Sequence, residues 1–401
     1  MTPPTSYDNA NLDAGEQHGS PRPVLTDPCD RSFPWNRSTS VEPMTLPSSS
    51  SASGFSAAGP DRVTLARSRD ELAAALAADD RAGRVDRADR AGSASRAVVM
   101  TMGALHQGHF DLVAEAARRV GPDGTVVVTI FVNPLQFAAG EDLEAYPRTL
   151  EADVEGLTAV LRAPGGYDAH GGLVVGRLIV FAPAPEVMYP RGEPAVRLDP
   201  GPIATVLEGA TRPTHFAGVL QVVLTLMHLT RPHWALFGRK DAQQLALVRA
   251  MVRDLAVPVE IVPVDIRREP DGLAMSSRNA YLSAREREQA LALSRALAAG
   301  REAARAGADA AGVRTAALEV LEKAPGVEVD YAAVVDPDSF VDLSGAGLGL
   351  PGESVQPAGA VELAGPFRPA EPSQPVGPVL LALAARVGTT RLIDNALIDL
   401  R

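Results

Sequence analysis

Two histidines three residues apart, His106 and His109, close the run Thr101, Met102, Gly103, Ala104, Leu105, His106, Gln107, Gly108, His109. The apolar stretch 97–100 precedes this run and a helix-like pattern opens at Phe110, so the histidines belong to a glycine-bearing turn between a strand and a helix. Such a turn suits a nucleoside triphosphate. Small residues let the backbone approach phosphates, and the unpaired N–H groups of a helix start face anionic oxygens. Imidazoles placed there donate hydrogen bonds to charge that builds up on phosphorus. The bland alternative is a pair of solvated or capping histidines.

A second cluster, Gly238, Arg239, Lys240 and Asp241, again follows an apolar run and opens a helical pattern at Gln243. Of the 38 basic residues only Lys240 and Lys323 are lysines. In a chain so biased to arginine, a lysine kept beside a glycine turn points to a need for a compact, mobile ammonium, as on a phosphate. Chance survival at a solvated helix start is the competing reading. The third cluster is Met275, Ser276, Ser277 and Arg278, on a loop flexed at Gly272. Two hydroxyls and a guanidinium in succession can wrap a triphosphate. The helix that follows carries its own capping box at Ser283 and Glu286, which leaves the earlier serines free for another role.

These clusters need a scaffold. Strands are expected at Ala97 onward and over 125–132, 178–181, 234–237 and 259–264, alternating with helices over 150–161, 216–229 and 243–253. The run 125–132 is uncharged and apolar apart from Thr125 and Thr129, as a strand buried on both faces should be. Alternation of this kind predicts an α/β fold with a doubly wound parallel sheet over 62–266. A first helix is expected over 68–77, with a charged loop over 78–95. From 267 to 401 the pattern becomes a smaller α+β unit: helices over 284–305 and 308–323, then strands over 327–335, 379–387 and 391–398. Residues 1–61 read as a disordered tail, and 162–176 and 344–378 as Gly- and Pro-rich insertions.

Composition narrows the partners. A net charge of −11 argues against tight nucleic-acid binding, and no uninterrupted apolar run is long enough to span a bilayer. The single cysteine, Cys29, forms no internal disulfide, and no secretory h-region opens the chain, which together suit a reducing cytoplasm.

Taken together the clusters resemble the pantothenate synthetase (pantoate–β-alanine ligase) family, of the nucleotidyltransferase superfamily with HIGH- and KMSKS-type signatures. The likeness extends over 101–109, 130–137, 140–148, 212–219, 238–244, 271–279 and 388–395, and covers about 63–401 apart from the two insertions. It implies a Rossmann-like domain with a C-terminal lid, ATP and Mg2+, the small-molecule substrates D-pantoate and β-alanine, and a homodimer. ATP would lie along Met102, Gly103, Ala104, Leu105, His106, Gln107, Gly108 and His109, with Gly238, Arg239, Lys240 and Asp241 on its other side. Arg267, Met275, Ser276, Ser277 and Arg278 would cover it. His109, His106 and Lys240 would be catalytic, His109 in the role often described as proton donor. Gln136 and Gln244 would contact pantoate, with Asn133, Arg212 and His215 as further candidates; Asp241 could approach the metal.

This chain departs from the family pattern at Met100 (usually proline), Arg239 (glutamate), Ala242 (tyrosine) and Arg267 (valine). Two other readings therefore stand beside the ligase: a degenerate paralogue that binds nucleotide or pantoate in a regulatory role, and another adenylate-forming enzyme of the superfamily.

Overall fold

A computed structural model describes residues 63–85, 95–138, 143–144, 146–160, 176–348 and 377–400. The expected tail over 1–61, with Cys29, and most of both insertions lie outside these residues.

Six strands form a wholly parallel sheet: β1 (Val63–Ala66), β2 (Arg96–Thr101), β3 (Thr125–Ile130), β4 (Arg177–Phe181), β5 (Trp234–Gly238) and β6 (Glu260–Val264). Their spatial order is β1-β4-β3-β2-β5-β6. The chain winds outward from β2 through β3 to β4, then returns to the other flank of β2 as β5 and β6. The switch point of the winding is thus the β2/β5 boundary, where doubly wound sheets open a crevice at the carboxyl ends of their strands. The first turn discussed above leaves β2 and the Lys240 turn leaves β5, so both discharge into that crevice.

Alternation explains why the middles of these strands are apolar on both faces. Val98, Val127 and Ile179 face one layer, with Leu72, Leu76, Phe216, Leu220 and Met227 from α1 (Arg69–Val85) and α6 (His215–Thr230). Their neighbours Val99, Val128 and Val180 face the other, against Leu112, Val113 and Ala116 of α2 (Gln107–Val120) and Leu157 of α3 (Leu150–Val160). Burial on both sides is what a central parallel strand needs.

Short helices α4 (Pro185–Met188) and α5 (Glu208–Thr211) lie before α6, and α7 (Ala242–Asp254) links β5 to β6. Beyond β6 come α8 (Ala284–Arg305), α9 (Ala310–Glu322) and an antiparallel sheet of β7 (Val327–Val335), β8 (Val379–Val387) and β9 (Thr390–Ile398). One face of that sheet packs Val334, Leu381 and Leu383 on α8 and α9; the other places Ala333, Val335 and Ala382 against Leu207 and Ala246 of the first part. The α/β core with a smaller α+β part is thus as the sequence led us to expect.

One expectation is corrected and one element is added. The first helix continues to Val85, past the expected end at Ala77, because the acids of the supposed loop are tertiary ligands. Asp79, 5 % exposed, accepts from Arg96 Nη2 at 3.0 Å and from Thr125 Oγ1 at 2.5 Å. Strand β1 was not foreseen, since four residues show too little period to read.

Candidate active site

The turn after β2 is built from backbone outward. Gly103 and Ala104 both adopt positive φ, +91° and +52°. A Cβ on Gly103 would sit 3.1 Å from Ile130 Cγ2 and 3.2 Å from Asp153 Oδ2, so only glycine fits this conformation and space. Thr101 Oγ1 accepts from Gly103 N at 3.3 Å and donates to Thr129 O at 2.8 Å. Asp153, on α3 and 3 % exposed, accepts the N–H groups of Ala104 (3.1 Å) and Leu105 (2.8 Å). Sequence reading missed Asp153. Its signal is an aspartate four residues before Leu157, on the buried face of its helix.

The two histidines cap α2 reciprocally. His106 Nδ1 accepts from Gly108 N at 3.1 Å, and His109 Nδ1 accepts from His106 N at 3.3 Å. Their rings lie 4.1 Å apart. Burial, followed by the Lys240 charge, holds His106 below its ordinary value; burial, then His106 and Lys240, takes His109 down to about 3. Both rings are neutral at neutral pH. With Nδ1 occupied as acceptor, each carries its proton on Nε2 and is a hydrogen-bond donor there. Capping therefore leaves the Nε2–H of each ring as its donor.

Lys240 lines one cavity with Ser276, Arg278, Asn279 and Arg391. The second and third clusters therefore meet, and the electrostatic reach of Lys240 to both histidines adds the first. Arg239 goes elsewhere: its guanidinium pairs with Asp265 at 3.0 Å and lines a separate cleft beside Ala242 and Leu397. The loop bearing Met275 is pinned by Met275 N to Arg267 O at 2.9 Å. Ser276 Oγ accepts from Arg278 N at 3.3 Å, capping the 3-10 turn that holds Ser277 and Arg278. Arg267 reaches back to Asp111 on α2 at 3.4 Å, so its side chain spans the helix start rather than the crevice floor.

Gln136 occupies a 3-10 turn after β3 and is 7 % exposed. Its Nε2 donates to Met102 Sδ at 2.7 Å, joining it to the first turn. Its backbone oxygen accepts from His215 Nδ1 (3.0 Å) and Arg212 Nη2 (3.3 Å), while Arg212 Nη1 meets His215 Nε2 at 3.2 Å. That chain sets the His215 proton on Nδ1. Asn133 uses both amide protons, on Gln136 Oε1 (3.3 Å) and Gly218 O (3.0 Å), and accepts from Leu135 N (3.3 Å) and Tyr189 Oη (2.9 Å). Its side chain is thus saturated within the protein and fixes Gln136. A Cβ at Gly218 would lie 2.2 Å from Leu135 O, so this glycine lets α6 close on the turn. Gln244 is half-buried on α7, whereas its neighbour Gln243 is buried and bonds Ile203 O, Val206 O and Glu208 N.

Among the described residues no three His, Cys, Asp or Glu side chains converge as a metal cage, and no helix is long and apolar enough to cross a membrane. The arrangement offers neutral N–H donors, an ammonium, hydroxyls and a guanidinium at one crevice, beside a buried amide. It can bind polyphosphate and a small polar acid together.

The family model for pantoate–β-alanine ligase matches residues 75–397. Pantothenate synthetase of Streptomyces avermitilis is 45 % identical over 347 residues, covering 75 % of this chain and 91 % of that protein. The crystal structure of pantothenate synthetase from Thermus thermophilus is 39 % identical with a TM-score of 0.64, covering 83 % of this chain and 98 % of that one. A pantoate–β-alanine ligase from Francisella tularensis, solved with β-γ ATP and β-alanine, is 25 % identical with a TM-score of 0.55 and covers 84 % of this chain and 97 % of its own. With its matched span embracing all three clusters, this chain belongs to the pantoate–β-alanine ligase family.

Proposed function

We propose that the protein condenses D-pantoate with β-alanine at the expense of ATP. In the first step a pantoate carboxylate oxygen attacks the α-phosphorus, the bond to the bridging oxygen breaks, and pantoyl adenylate and pyrophosphate form. In the second, the β-alanine amine attacks the acyl carbon, loses a proton and expels AMP, leaving pantothenate. The observation that carries this reading is the meeting of Lys240 and both histidines at the β2/β5 switch point, with Gln136 bonded to Met102 of the same turn.

The first step asks for charge neutralisation and alignment rather than covalent help. Triphosphate lies along 102–109, with Gly238 and Asp241 flanking it and the backbones of Arg239 and Arg267 nearby. His106 and His109 donate from neutral Nε2–H to the α-phosphate and departing pyrophosphate. His109 acts there as a hydrogen-bond donor rather than an acid, because a ring with a pKa of about 3 already gives its one proton to that bond. Lys240 supplies the full positive charge; Met275, Ser276, Ser277 and Arg278 close over the phosphates on the C-terminal part, a lid. Gln136 and Gln244 take the pantoate hydroxyls. Arg212 and His215 orient the acid, and Asn133 holds Gln136 in place.

Mg2+ fits a donor set of this kind. With no cage of carboxylates among the described residues, it would sit mainly on phosphate oxygens and water, with Asp241 as the acid of the Lys240 turn. It supplies charge neutralisation of the triphosphate when bound. We place the protein in the cytoplasm, as a homodimer whose mass light scattering on the purified chain checks. The test of function is ATP–pyrophosphate exchange with Mg2+ and without β-alanine. Exchange that appears only with D-pantoate supports the reading; none from folded protein brings the degenerate paralogue forward. Exchange on some other acid would favour a different adenylate-forming enzyme.

A further inference from the structure

We infer that Asn395, on the last strand of the second sheet, is the positioning residue for Lys240. Among the described residues no hydrogen bond or ion pair involves the Lys240 ammonium, so the backbone of its turn decides where it projects. That turn follows Gly238, whose missing side chain leaves open space on its outer side. Two consecutive carbonyls of the turn, Arg239 O and Lys240 O, accept from Asn395 Nδ2 at 3.0 and 2.8 Å. A primary amide has two protons on one nitrogen, and here each finds a carbonyl. Asn395 is 6 % exposed, so water does not substitute for either bond.

Asn395 is itself braced. Its N–H donates to Asp394 Oδ1 at 2.8 Å, and the Asp394 carboxylate, with its side chain 2 % exposed, takes both Nη atoms of Arg268 at 2.7 and 3.0 Å. Arg268 follows Arg267, whose carbonyl holds Met275 N at 2.9 Å. One strand end therefore holds the lysine turn and the root of the serine loop in a single register. Closure of the C-terminal part over nucleotide and placement of Lys240 become one event, and a half-closed site would lack its ammonium.

This inference deepens the ligase reading and rests on it for its kinetic arm only. The test uses full-length protein with Asn395→Leu, which keeps bulk and removes both donors, and Asn395→Asp, which turns an oxygen toward the two carbonyls. Ile398→Ala, a core truncation on the same strand, matches any loss of stability. Because the chain has two lysines, 13Cε-lysine labelling gives two signals, and Lys323→Arg assigns them. Both Asn395 variants should lose about 10²-fold in kcat/KM for ATP in D-pantoate-dependent exchange, with KM for D-pantoate moving far less. The shift of the Lys240 signal on adding MgATP should shrink in both, and persist in Ile398→Ala. If the leucine variant does not fold, the isosteric aspartate decides. Wild-type kcat/KM and a wild-type Lys240 response in the Asn395 variants would overturn the proposal, as would an equal loss in Ile398→Ala at matched thermal stability. A wild-type protein without D-pantoate-dependent exchange would fail the ligase reading alone; the Lys240 signal would then still decide the role of Asn395.

Discussion

The backbone N–H of His106 donates to Nδ1 of His109 at 3.3 Å, and this one bond settles which nitrogen of His109 faces the crevice with a proton. It also ties protonation to folding. The folded ring titrates at about 3, against an ordinary 6.5, so the unfolded chain binds more protons between those values. Stability therefore falls as pH drops below about 6.5 and is indifferent to this ring above it. His106, shifted in the same direction, adds to the slope. Each fully linked proton contributes about 1.4 kcal/mol per pH unit. Urea unfolding between pH 7 and 5 should show this decline, and His109→Asn should flatten it. An unchanged slope in that variant would mean the ring titrates normally.

Removing the donors should stop chemistry without unfolding the chain. His109→Ala and Lys240→Ala are each expected to slow adenylate formation by about 10²–10³-fold, the cost of losing one preorganised donor to developing charge. Single-turnover formation of pantoyl adenylate reads this directly, with circular dichroism as the check on folding. A variant within a few-fold of wild type would remove its residue from the reacting centre.

Asp153 should prove as important as residues that touch substrate. Its carboxylate takes the N–H groups of Ala104 and Leu105, in the turn where Gly103 and Ala104 adopt positive φ. Asp153→Asn turns at least one acceptor into a donor facing a donor. We expect a loss of about 1–3 kcal/mol in stability together with weaker ATP binding, because the turn that cradles phosphate loses its shape. Isothermal titration with ATP tests the second half; wild-type affinity in a destabilised variant would confine Asp153 to stability.

What the sequence could and could not carry follows from the range of each interaction. His106, His109, Lys240 and the serine loop were legible because their chemistry sits in short runs with glycine beside it. The parallel core was legible because strands buried on both faces carry no charge and are mostly apolar, as 125–130 is with only Thr125 and Thr129 polar. Asp153 was not, and Asn395, though it ends the matching stretch 388–395, carried no role, since each acts on a turn far away in sequence. Asp79 misled for the same reason: a charged residue on a helix reads as solvated until its partner, Arg96, is placed against it. Arg239 looked like a charge beside Lys240, yet alternate directions along the turn send it to Asp265.

The last expectation concerns what holds the C-terminal sheet to the first part. Glu208 accepts from Arg391 at 2.7 and 2.8 Å and from Tyr331 Oη at 2.9 Å, and Arg391 Nε reaches Asp330 at 2.6 Å. The Arg391 and Glu208 side chains are 13 % and 16 % exposed, and Glu208 follows Leu207, held at a φ of +48°. Arg391→Met would leave two carboxylates without their counter-charge, and removing one partner of a buried pair costs about 3–5 kcal/mol. Glu208→Gln in the Arg391→Met background should recover part of that loss, since the uncompensated charge goes with it. Chemical denaturation of the four proteins in this cycle gives the coupling. Additive effects of the two substitutions would mean that the charges act independently, and that apolar packing of Leu207 and Ala246 against the sheet carries the junction alone.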